Sequence, residues 1–494
     1  MFLNKNKTKN KDLYIWAENG PVHIEKFGEN LTPNMRALRL AMTISDVLLS
    51  MGVAANSVVS KALDITDVYC KSPVHIDVSA NLLMLSQLRG IEKEPLTLMR
   101  PVATRNVNYM TIQSVQSLIH RIREGKLSLR KAESELEKIL ANPKSYPWWI
   151  VMSGNAGIAA GISLMFTSSW RVVLVTFIIG LMVDRLIAFL LKRAIPLFFR
   201  QIAAAAFVTI AAAIVSQLGR NGVQFFDGMN PTLIVVGGII MLLAGLLIVG
   251  AIQDAIEEYY VTASARVLKV MMLTSGIVIG TTIGLYVARK FGFDITVSPD
   301  PLRLGSIQFQ FLGAGIASGA YALSTQTPIR AIAWAGLVGT VALMTSYYVG
   351  EFDVAVIAAR GIAAATVGVM ALIIARIWHT PSAGIIAAGI IPLAPGLALY
   401  NGLAQFVNYS PGEANLTRGL YTLITAVAIA LAVGAGATFG SMIARPLRQK
   451  LARQRNISPF TGFMSRQLGL GRKSAPTLRG IGRTLFRTRN KTKL

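Results

Sequence analysis

The sequence contains few of the residues on which disulfide, metal and cofactor chemistry depend. It has one cysteine, Cys70, and four histidines scattered along 494 residues. A single cysteine excludes a disulfide framework and a cysteine-based zinc cluster, and scattered histidines do not favour a metal site. The apolar part has no nucleophile elbow, His-Glu-x-x-His motif or phosphate loop, so nothing indicates ATP-driven transport. We therefore expect no metal, no cofactor and no enzymatic activity.

Charge is also scarce, and most of it has one sign. Only 15% of the residues are charged and 53% are hydrophobic, whereas soluble proteins carry about 25% charged residues. The net charge of +25 is concentrated at the ends, because residues 445–494 contain 14 lysines or arginines and no acid. Basic segments beside membrane spans fix topology and contact anionic lipid, so we expect a lipid bilayer and not nucleic acid as partner.

After residue 146, ten apolar segments have about the 20 residues that a bilayer requires. They cover residues 148–166, 171–191, 201–218, 232–252, 267–288, 307–325, 329–349, 354–375, 382–403 and 418–442. Five spans per half is an odd number, so the second half enters the membrane from the opposite face. The pattern predicts an α-helical polytopic membrane protein with ten transmembrane helices arranged as two inverted five-helix repeats. Both basic termini then lie together in the cytoplasm.

The residues before the first span are typical of a small α/β domain. A helix is predicted over Met35–Met51, with Gly52 as its stop. The other predicted elements are strands at Val68–Cys70, Val74–Val78 and Leu82–Gln87, then helices at Thr111–Glu124 and Leu129–Leu140. The predicted domains are residues 1–146, a first transmembrane repeat over 147–292, a second over 304–444, and a basic cytoplasmic tail over 445–494.

Two apolar segments share one interrupted pattern. Residues 389–397 read Gly-Ile-Ile-Pro-Leu-Ala-Pro-Gly-Leu, and residues 238–246 read Gly-Ile-Ile-Met-Leu-Leu-Ala-Gly-Leu. Two prolines three apart must break a helix. In lipid, such a break persists only where the freed backbone groups face protein or a water-filled cavity. An interrupted segment that recurs in both halves of a membrane protein indicates the binding site of a transporter.

Such breaks suit a zwitterionic substrate, because half-helix ends present free amides to a carboxylate and free carbonyls to an ammonium group. Tyr400 and Asn401, just after the second break, are candidates for hydrogen bonds to a substrate hydroxyl. The alternative is a kinked packing helix without a ligand, with Tyr400 and Asn401 as ordinary interface residues. The predicted substrate-binding residues are Ala244, Gly245, Pro392, Pro395, Gly396, Tyr400 and Asn401.

Carboxylates follow the first interrupted segment directly. On a helix, Asp254, Glu257 and Glu258 share one face at spacings of three and four. Ionisable groups at the margin of a span are costly unless they are paired or hydrated, and a crowded carboxylate can hold a proton near neutral pH. We predict that Asp254 couples transport to protons. The alternative places all three carboxylates in the cytosolic headgroup region.

Three further charged residues lie in or beside the predicted spans. Arg266 opens the last span of the first half, where it either clamps a substrate carboxylate or anchors the span at the interface. Arg360 lies six residues into the eighth span, where it either extends to the interface or pairs with a carboxylate. Asp184, in the second span, is a candidate partner for Arg360 and a second candidate for proton coupling.

His75 and Asp77 lie two apart on a predicted strand, so they share a face. In an enzyme such residues can form a general-base pair. Structural hydrogen bonding is the more frequent reason for this spacing.

Several longer words in the sequence carry a resemblance to a known family. They are Asp-Val-Leu-Leu-Ser-Met-Gly at 46–52, Val-His-Ile-Asp-Val at 74–78, Ala-Ile-Gln-Asp-Ala-Ile at 251–256, Val-Thr-Ala-Ser-Ala-Arg at 261–266 and Pro-Leu-Ala-Pro-Gly-Leu-Ala-Leu-Tyr-Asn-Gly at 392–402. With these words the chain resembles the bacterial threonine/serine exporter family from about Arg36 to Arg445. The family often has small hydroxyl residues where this chain has Val-Ala-Ala at 53–55. A ligand role for such hydroxyls is therefore in doubt here.

The resemblance implies a cytoplasmic N-terminal domain, ten spans in the bacterial inner membrane, and proton-driven export of small hydroxy amino acids. We therefore expect an exporter of threonine and serine that works by proton antiport and alternating access. The alternatives are an exporter of a small dicarboxylate such as succinate, a hydrolase or peptidase in the N-terminal domain, and a structural or lipid-interacting membrane protein. The oligomeric state does not follow from the sequence.

Overall fold

The fold is described from a computed structural model of the chain. The structure describes residues 13–17, 20–24, 31–90, 93–242, 245–293, 304–378, 380–407 and 415–453. The chain divides into two compact units, Met1–Ala444 and Arg445–Leu494. The first unit contains every element discussed below, and the second is described only as the end of the last helix. Ala244 and most of the basic tail lie outside the described residues.

Residues 31–141 form an α/β region, which we call the N-terminal layer. A short hairpin of strands β1 (Leu13–Ala17) and β2 (Gly20–Ile24) precedes it. The layer contains α1 (Pro33–Ser50), α2 (Ala55–Tyr69), β3 (Val74–Ser79), β4 (Leu82–Gln87), β5 (Leu96–Pro101), α3 (Tyr109–Arg123) and α4 (Leu129–Ala141). Strands β3, β4 and β5 form an antiparallel sheet in which Val78 lies opposite Leu83, and Leu85 opposite Leu98.

Helix α1 is the centre of the layer. Its start matches the sequence signals, since the Thr32 hydroxyl accepts a hydrogen bond from the Met35 amide and Pro33 occupies the first turn. It ends where Gly52, with φ of 82°, adopts the left-handed conformation of a helix stop, as predicted. Leu38 and Leu48 of this helix are fully enclosed by apolar side chains of the sheet, α2, α3 and α4.

The strand predicted at Val68–Cys70 is wrong, because Val68 and Tyr69 end helix α2. Val58, Ala62 and Ile65 of α2 are buried at helical spacing. This helical spacing of buried residues favours continuation of the helix through Val68 and Tyr69, where the short apolar run alone had suggested a strand. Neither α2 nor strand β5 was predicted. The other predicted elements of the layer agree with the structure within two residues.

The remaining elements are helices, and most described residues of the predicted apolar segments lie on them. Their bounds are α5 (Trp148–Phe166), α6 (Trp170–Lys192), α7 (Leu197–Arg220), α8 (Pro231–Ile240), α9 (Gly245–Ile256), α10 (Tyr260–Lys290), α11 (Ile307–Ser324), α12 (Ile329–Gly350), α13 (Val356–Trp378), α14 (Ser382–Gly389), α15 (Gly396–Val407) and α16 (Asn415–Arg453). Within the described residues, seven helices are long and apolar enough to cross a membrane, and a bent pair gives up to eight. The chain is therefore a polytopic helical membrane protein.

Two helix contacts recur in the two halves of the membrane part. In each half a glycine of the second helix packs on an alanine of the first, and a glycine of the last helix packs on an alanine of the third. The pairs are Gly180 with Ala156 and Gly280 with Ala205 in the first half, and Gly339 with Ala314 and Gly440 with Ala365 in the second. The spacing between corresponding residues is nearly constant, so the two halves share one packing plan.

The halves meet along α5 and α11, the first helix of each. A Cβ added at Gly154 or Gly161 of α5 would lie within 3.0 Å of the α11 backbone, and one added at Gly313 of α11 would meet the α5 backbone. Small residues let two helix backbones approach this closely inside a membrane. The central interface is therefore a contact between backbones rather than between long side chains.

Candidate functional site

The second interrupted segment breaks as the prolines predict. Helix α14 ends at Gly389, a single 3-10 turn covers Ile391–Leu393, and α15 begins at Gly396. The two parts of this span are bent by 46°. Pro392 lies in the turn, and the Pro395 carbonyl accepts the Leu399 amide in the first turn of α15.

The first interrupted segment breaks without a proline. Helix α8 ends at Ile240 and α9 begins at Gly245. Leu242 lies just beyond the last turn of α8. The side-chain Nε2 of Gln201, on α7, donates to this carbonyl at 3.1 Å. The structure therefore shows one protein group that satisfies the backbone freed by this break.

Residues beside the two breaks lie in the same buried clusters. Ile239 and Leu242 of the first break share a cluster with Tyr400 of α15, and Leu397 packs against it. Ile240 and Ile391 pack against a second cluster formed by α5 and α11. Residues beside the two breaks therefore pack together inside the helix bundle.

Tyr400 is the predicted substrate-binding residue with the most polar surroundings. It is 5% exposed, and its side chain lies near Thr281 on α10. Thr281 follows Gly280, which packs against the Ile202 carbonyl of α7. Gln201 contacts the first break directly, and Tyr400 shares a buried cluster with Leu242 of that break. Asn401, the next predicted residue, is half-buried.

Asp254 and Arg266 form an ion pair at the end of α9. Asp254 is fully buried, and its Oδ2 lies 2.8 Å from Nη1 of Arg266 on α10. Arg266 also donates to the Gly250 carbonyl at 3.5 Å. The other carboxylate oxygen accepts the Ala55 amide of α2 at 3.4 Å. A buried carboxylate with one cationic partner is the arrangement that membrane proteins tolerate.

The Asp254 carboxylate replaces a missing helix cap. Helix α2 begins after Ala54, which has no side-chain oxygen and makes no capping hydrogen bond. Helix N-termini attract negative charge and require acceptors for their first amides. Asp254, in the membrane part of the chain, supplies both the negative charge and an acceptor for the Ala55 amide. The Val-Ala-Ala segment at 53–55 therefore has no hydroxyl to cap α2, and the Asp254 carboxylate accepts the Ala55 amide instead.

Asp184 and Arg360 are not brought together. The Asp184 carboxylate accepts from Asn155 Nδ2 of α5 at 2.7 Å and pairs with Arg185, whose guanidinium lies over the Trp148 ring. Within the described residues, Arg360 near the start of α13 forms no ion pair. The proposed Asp184–Arg360 partnership is therefore not present.

His75 and Asp77 share the exposed face of β3. Among the described residues no hydrogen bond joins them. Asp77 lies near Tyr259, whose phenol has its pKa raised by burial and by the negative charges of Asp77, Glu257 and Asp254. Asp77 therefore belongs to the contact between the N-terminal layer and α10.

The N-terminal layer is bound to both halves of the membrane part. On the first half, Thr262 of α10 accepts the Ala80 amide at 3.1 Å and donates to the Val78 carbonyl at 3.4 Å. On the second half, the Tyr109 and Met110 amides each donate at 3.1 Å to carbonyls of the α11–α12 loop, at Thr325 and Gln326 respectively. Asn108 Nδ2 also donates to Gln326 Oε1 at 2.7 Å, and the Tyr146 hydroxyl donates to the Thr327 carbonyl at 3.0 Å.

The layer also contacts one part of each interrupted span. Asp254 of α9 accepts from the start of α2. On α14, a Cβ added at Gly384 would lie 3.0 Å from the Tyr109 ring, and Ala387 packs against the layer's apolar core. The N-terminal layer thus covers the end of α9 and the start of α14 together.

Two features of this site were not predicted. Gln201 lies 41 residues from its Leu242 partner, and Ala55 lies 199 residues from Asp254. Short sequence words that recur in the two halves offered one signal for the position of Gln201. Ala-Gly-Ile-Ala occurs at 156–159 and 314–317, and Arg-x-Ile-Ala-Ala-Ala at 200–205 and 360–365. The second word marks the start of α7 and α13 as equivalent positions, and so places Gln201 in a repeated element.

The fold defines the class of protein first: a polytopic helical membrane protein in which residues beside two interrupted helices share buried clusters. Residues 39–288 match the family described as putative threonine/serine exporter, and residues 310–443 match a second family described as threonine/serine exporter. The chain belongs to the threonine/serine exporter family. It is a transporter and not an enzyme.

Two known proteins are similar along most of their length. A probable threonine/serine exporter of Mycobacterium tuberculosis is 29% identical over 445 residues, which cover 88% of this chain and 82% of the relative. A threonine/serine exporter of Corynebacterium glutamicum is 28% identical over 431 residues, covering 86% and 85% of the two chains. No solved structure matches the chain.

Proposed function

We propose that this protein exports threonine and serine as a secondary active transporter. The observation that carries the proposal is the meeting of the two interrupted helices in the clusters that hold Leu242, Tyr400 and Ile391. Free half-helix ends at this place suit the carboxylate and ammonium groups of an amino acid. The names of the two similar exporters support these substrates.

Proton antiport is the coupling that the charged groups support. Asp254 is fully buried with one cationic partner, Arg266. Protonation of Asp254 removes one charge of the pair, so the contacts at this end of α9 depend on the proton. In the proposed cycle Asp254 takes a proton from one side of the membrane and releases it to the other. Asp184 stays the second candidate.

We propose alternating access, which the recurring helix contacts of the two halves support. We propose ten spans in two inverted repeats, with α8–α9 and α14–α15 as the interrupted span of each repeat. The termini lie in the cytoplasm and the bilayer is the bacterial inner membrane. The halves rock about the close α5–α11 contact, around a central site at the breaks.

In this cycle the N-terminal layer is the cytoplasmic gate. It binds the end of α9 through the Ala55 amide and the start of α14 through Tyr109. A movement of one half against the other changes the distance between these two contacts. The layer must therefore release at least one of them before the site opens to the cytoplasm.

The geometry gives little support to two alternative functions, dicarboxylate export and hydrolysis. Export of a dicarboxylate requires a second fixed positive charge in the site, but Arg266 is paired with Asp254. A hydrolase in the N-terminal layer requires a base that contacts a nucleophile, but His75 and Asp77 are exposed and no hydrogen bond joins them among the described residues.

Purified protein in liposomes tests the proposed function. Labelled threonine is loaded inside, and its efflux is followed with a proton gradient, without one and with an uncoupler. We expect efflux of threonine and serine that the uncoupler slows, and no efflux of succinate. Succinate transport without threonine transport would establish the dicarboxylate alternative. Hydrolysis of peptides by the same protein, lost on His75→Ala, would establish the hydrolase.

A further inference from the structure

Only one end of the Gln201 side-chain amide makes a hydrogen bond among the described residues. Its Nε2 donates to the Leu242 carbonyl, and because a carbonyl can only accept, this contact fixes the orientation of the amide. The carbonyl oxygen Oε1 then points away from Leu242. It is buried and has no hydrogen-bond partner among the described residues, in a side chain that is 9% exposed.

Buried polar atoms in native proteins are nearly always paired, so an unpaired acceptor requires an explanation. Gln310 of α11 provides a comparison within the same bundle. It is 8% exposed, and its Nε2 donates to the Gly305 carbonyl at 2.7 Å. Its Oε1 does not appear among the unpaired buried atoms, whereas Oε1 of Gln201 does.

The surroundings of Gln201 are typical of a small-molecule site, where a few polar groups converge in an apolar setting. Leu242 and Tyr400 belong to one apolar cluster. The Tyr400 side chain lies near Thr281, and the preceding Gly280 packs on the carbonyl of Ile202, the neighbour of Gln201. Helices α7 and α15 thus each contribute one polar side chain that contacts the first break or shares its buried cluster.

We propose that Gln201 binds the α-ammonium group of the transported amino acid through Oε1. The inference rests on the proposed function, since it assigns a residue to the same central site. An amide oxygen can accept only from a donor, which excludes the substrate carboxylate. The ammonium group carries donors and a positive charge, and hydrogen bonds to charged groups are the stronger kind.

The test compares two ligands in two variants. 3-Hydroxybutyrate has the carboxylate and hydroxyl of threonine but no ammonium group. In Gln201→Met, which keeps the side-chain length and removes the acceptor, we expect KM for threonine to rise about tenfold or more. The inhibition constant of 3-hydroxybutyrate should change less than about threefold, since this ligand lacks the bond that is lost.

Gln310→Met is the matched control, because it removes a buried glutamine amide away from the break. It should leave KM for threonine within about twofold of the unmodified protein. An equal rise of KM in both variants, or an equal loss for both ligands in Gln201→Met, would overturn the assignment. Gln201→Glu keeps an acceptor, so it should bind threonine better than Gln201→Met; the reverse order would also overturn it.

The two proposals fail in different ways. If the unmodified protein moves no threonine, the proposed function fails before any variant is compared. If it moves threonine and the variants do not separate the two ligands, only the role of Gln201 fails. Thermal unfolding of each purified variant identifies any that is misfolded, and Gln201→Leu, which also removes the acceptor, then replaces Gln201→Met in the comparison with 3-hydroxybutyrate.

Discussion

Asp254 serves two elements at once, through its ion pair with Arg266 and its acceptance of the Ala55 amide. Asparagine has the same size and can still accept that amide, but it cannot exchange a proton. We therefore expect Asp254→Asn to reduce uncoupler-sensitive threonine efflux about tenfold, within the usual range of coupling between two ligands. Exchange of threonine across the membrane without a proton gradient should persist.

Asp184→Asn is the comparison for this prediction, because Asp184 is paired with Asn155 and Arg185 on the other side of α5. It should keep uncoupler-sensitive efflux within about threefold of the unmodified protein. If Asp184→Asn removes the coupling and Asp254→Asn does not, the proton-carrying residue is Asp184.

Lys61 of α2 gives a prediction on stability. Burial lowers the pKa of its ammonium from 10.5 to about 8, and the charge of Asp64 opposes this shift. Below pH 8 the lysine is charged in both the folded and the unfolded chain, so folding bears the full cost of burying the charge. Between pH 8 and 10.5 the folded chain loses the proton first, and the free energy of unfolding rises with pH.

Lys61→Met should therefore raise the free energy of unfolding at pH 7 by about 1–3 kcal/mol. The gain should shrink as the pH rises from 8 to 10. Thermal unfolding of the purified protein at several pH values measures it, with the exposed Lys71→Met as control. A lower midpoint for Lys61→Met at pH 7 would mean that the attraction to Asp64 outweighs the cost of burial.

At the scale of single elements, the local patterns predicted most of the helices and both interruptions. Helix α1 carries its signals in Thr32, Pro33 and Gly52, and the break before α15 is set by two prolines. Predictions from only a few residues were wrong where a longer helical pattern determined the structure. The strand predicted at Val68–Cys70, for example, lies at the end of helix α2. Contacts between distant segments left no local pattern, so Gln201 and the cap on α2 were found only in the structure.

The role of the N-terminal layer as a gate predicts the effect of cross-links. In a Cys70→Ser background, the pair Ala80→Cys and Thr262→Cys ties the layer to the first half, where these residues share a hydrogen bond. The pair Asn108→Cys and Gln326→Cys ties it to the second half in the same way. With both pairs oxidised, we expect threonine efflux to fall about tenfold or more and to return on reduction.

Each pair alone serves as a control, because a layer bound to one half can still release the other. Single cysteines should respond to neither oxidation nor reduction. The gate would be refuted by normal efflux from protein in which gel shifts show both cross-links to be complete.

At the scale of the whole molecule, the two halves share their glycine–alanine contacts and meet along α5 and α11. The family matches also fall into two parts, residues 39–288 and 310–443. Each half therefore has the contacts needed to form its own helix bundle. We expect two separately expressed chains, divided between residues 292 and 304, to assemble and to transport threonine.

Efflux from cells that produce both chains, and co-purification through a tag on one of them, measure this. Either chain alone should give less than about a tenth of the efflux, since each carries only one interrupted span. Efflux from the first chain alone would contradict a site shared between the halves.

The bond between the Ala55 amide and Asp254 spans 199 residues, and the bond from Asn108 to Gln326 spans 218. A ribosome adds about 5–20 residues per second. The N-terminal layer, which ends at residue 141, is therefore complete about 5 to 40 seconds before its partners Asp254 and Gln326 are synthesised. During that time the start of α2 has no acceptor from Asp254, and the layer has nothing to cover. The contacts between the N-terminal layer and the second half can therefore form only after the α11–α12 loop has been made.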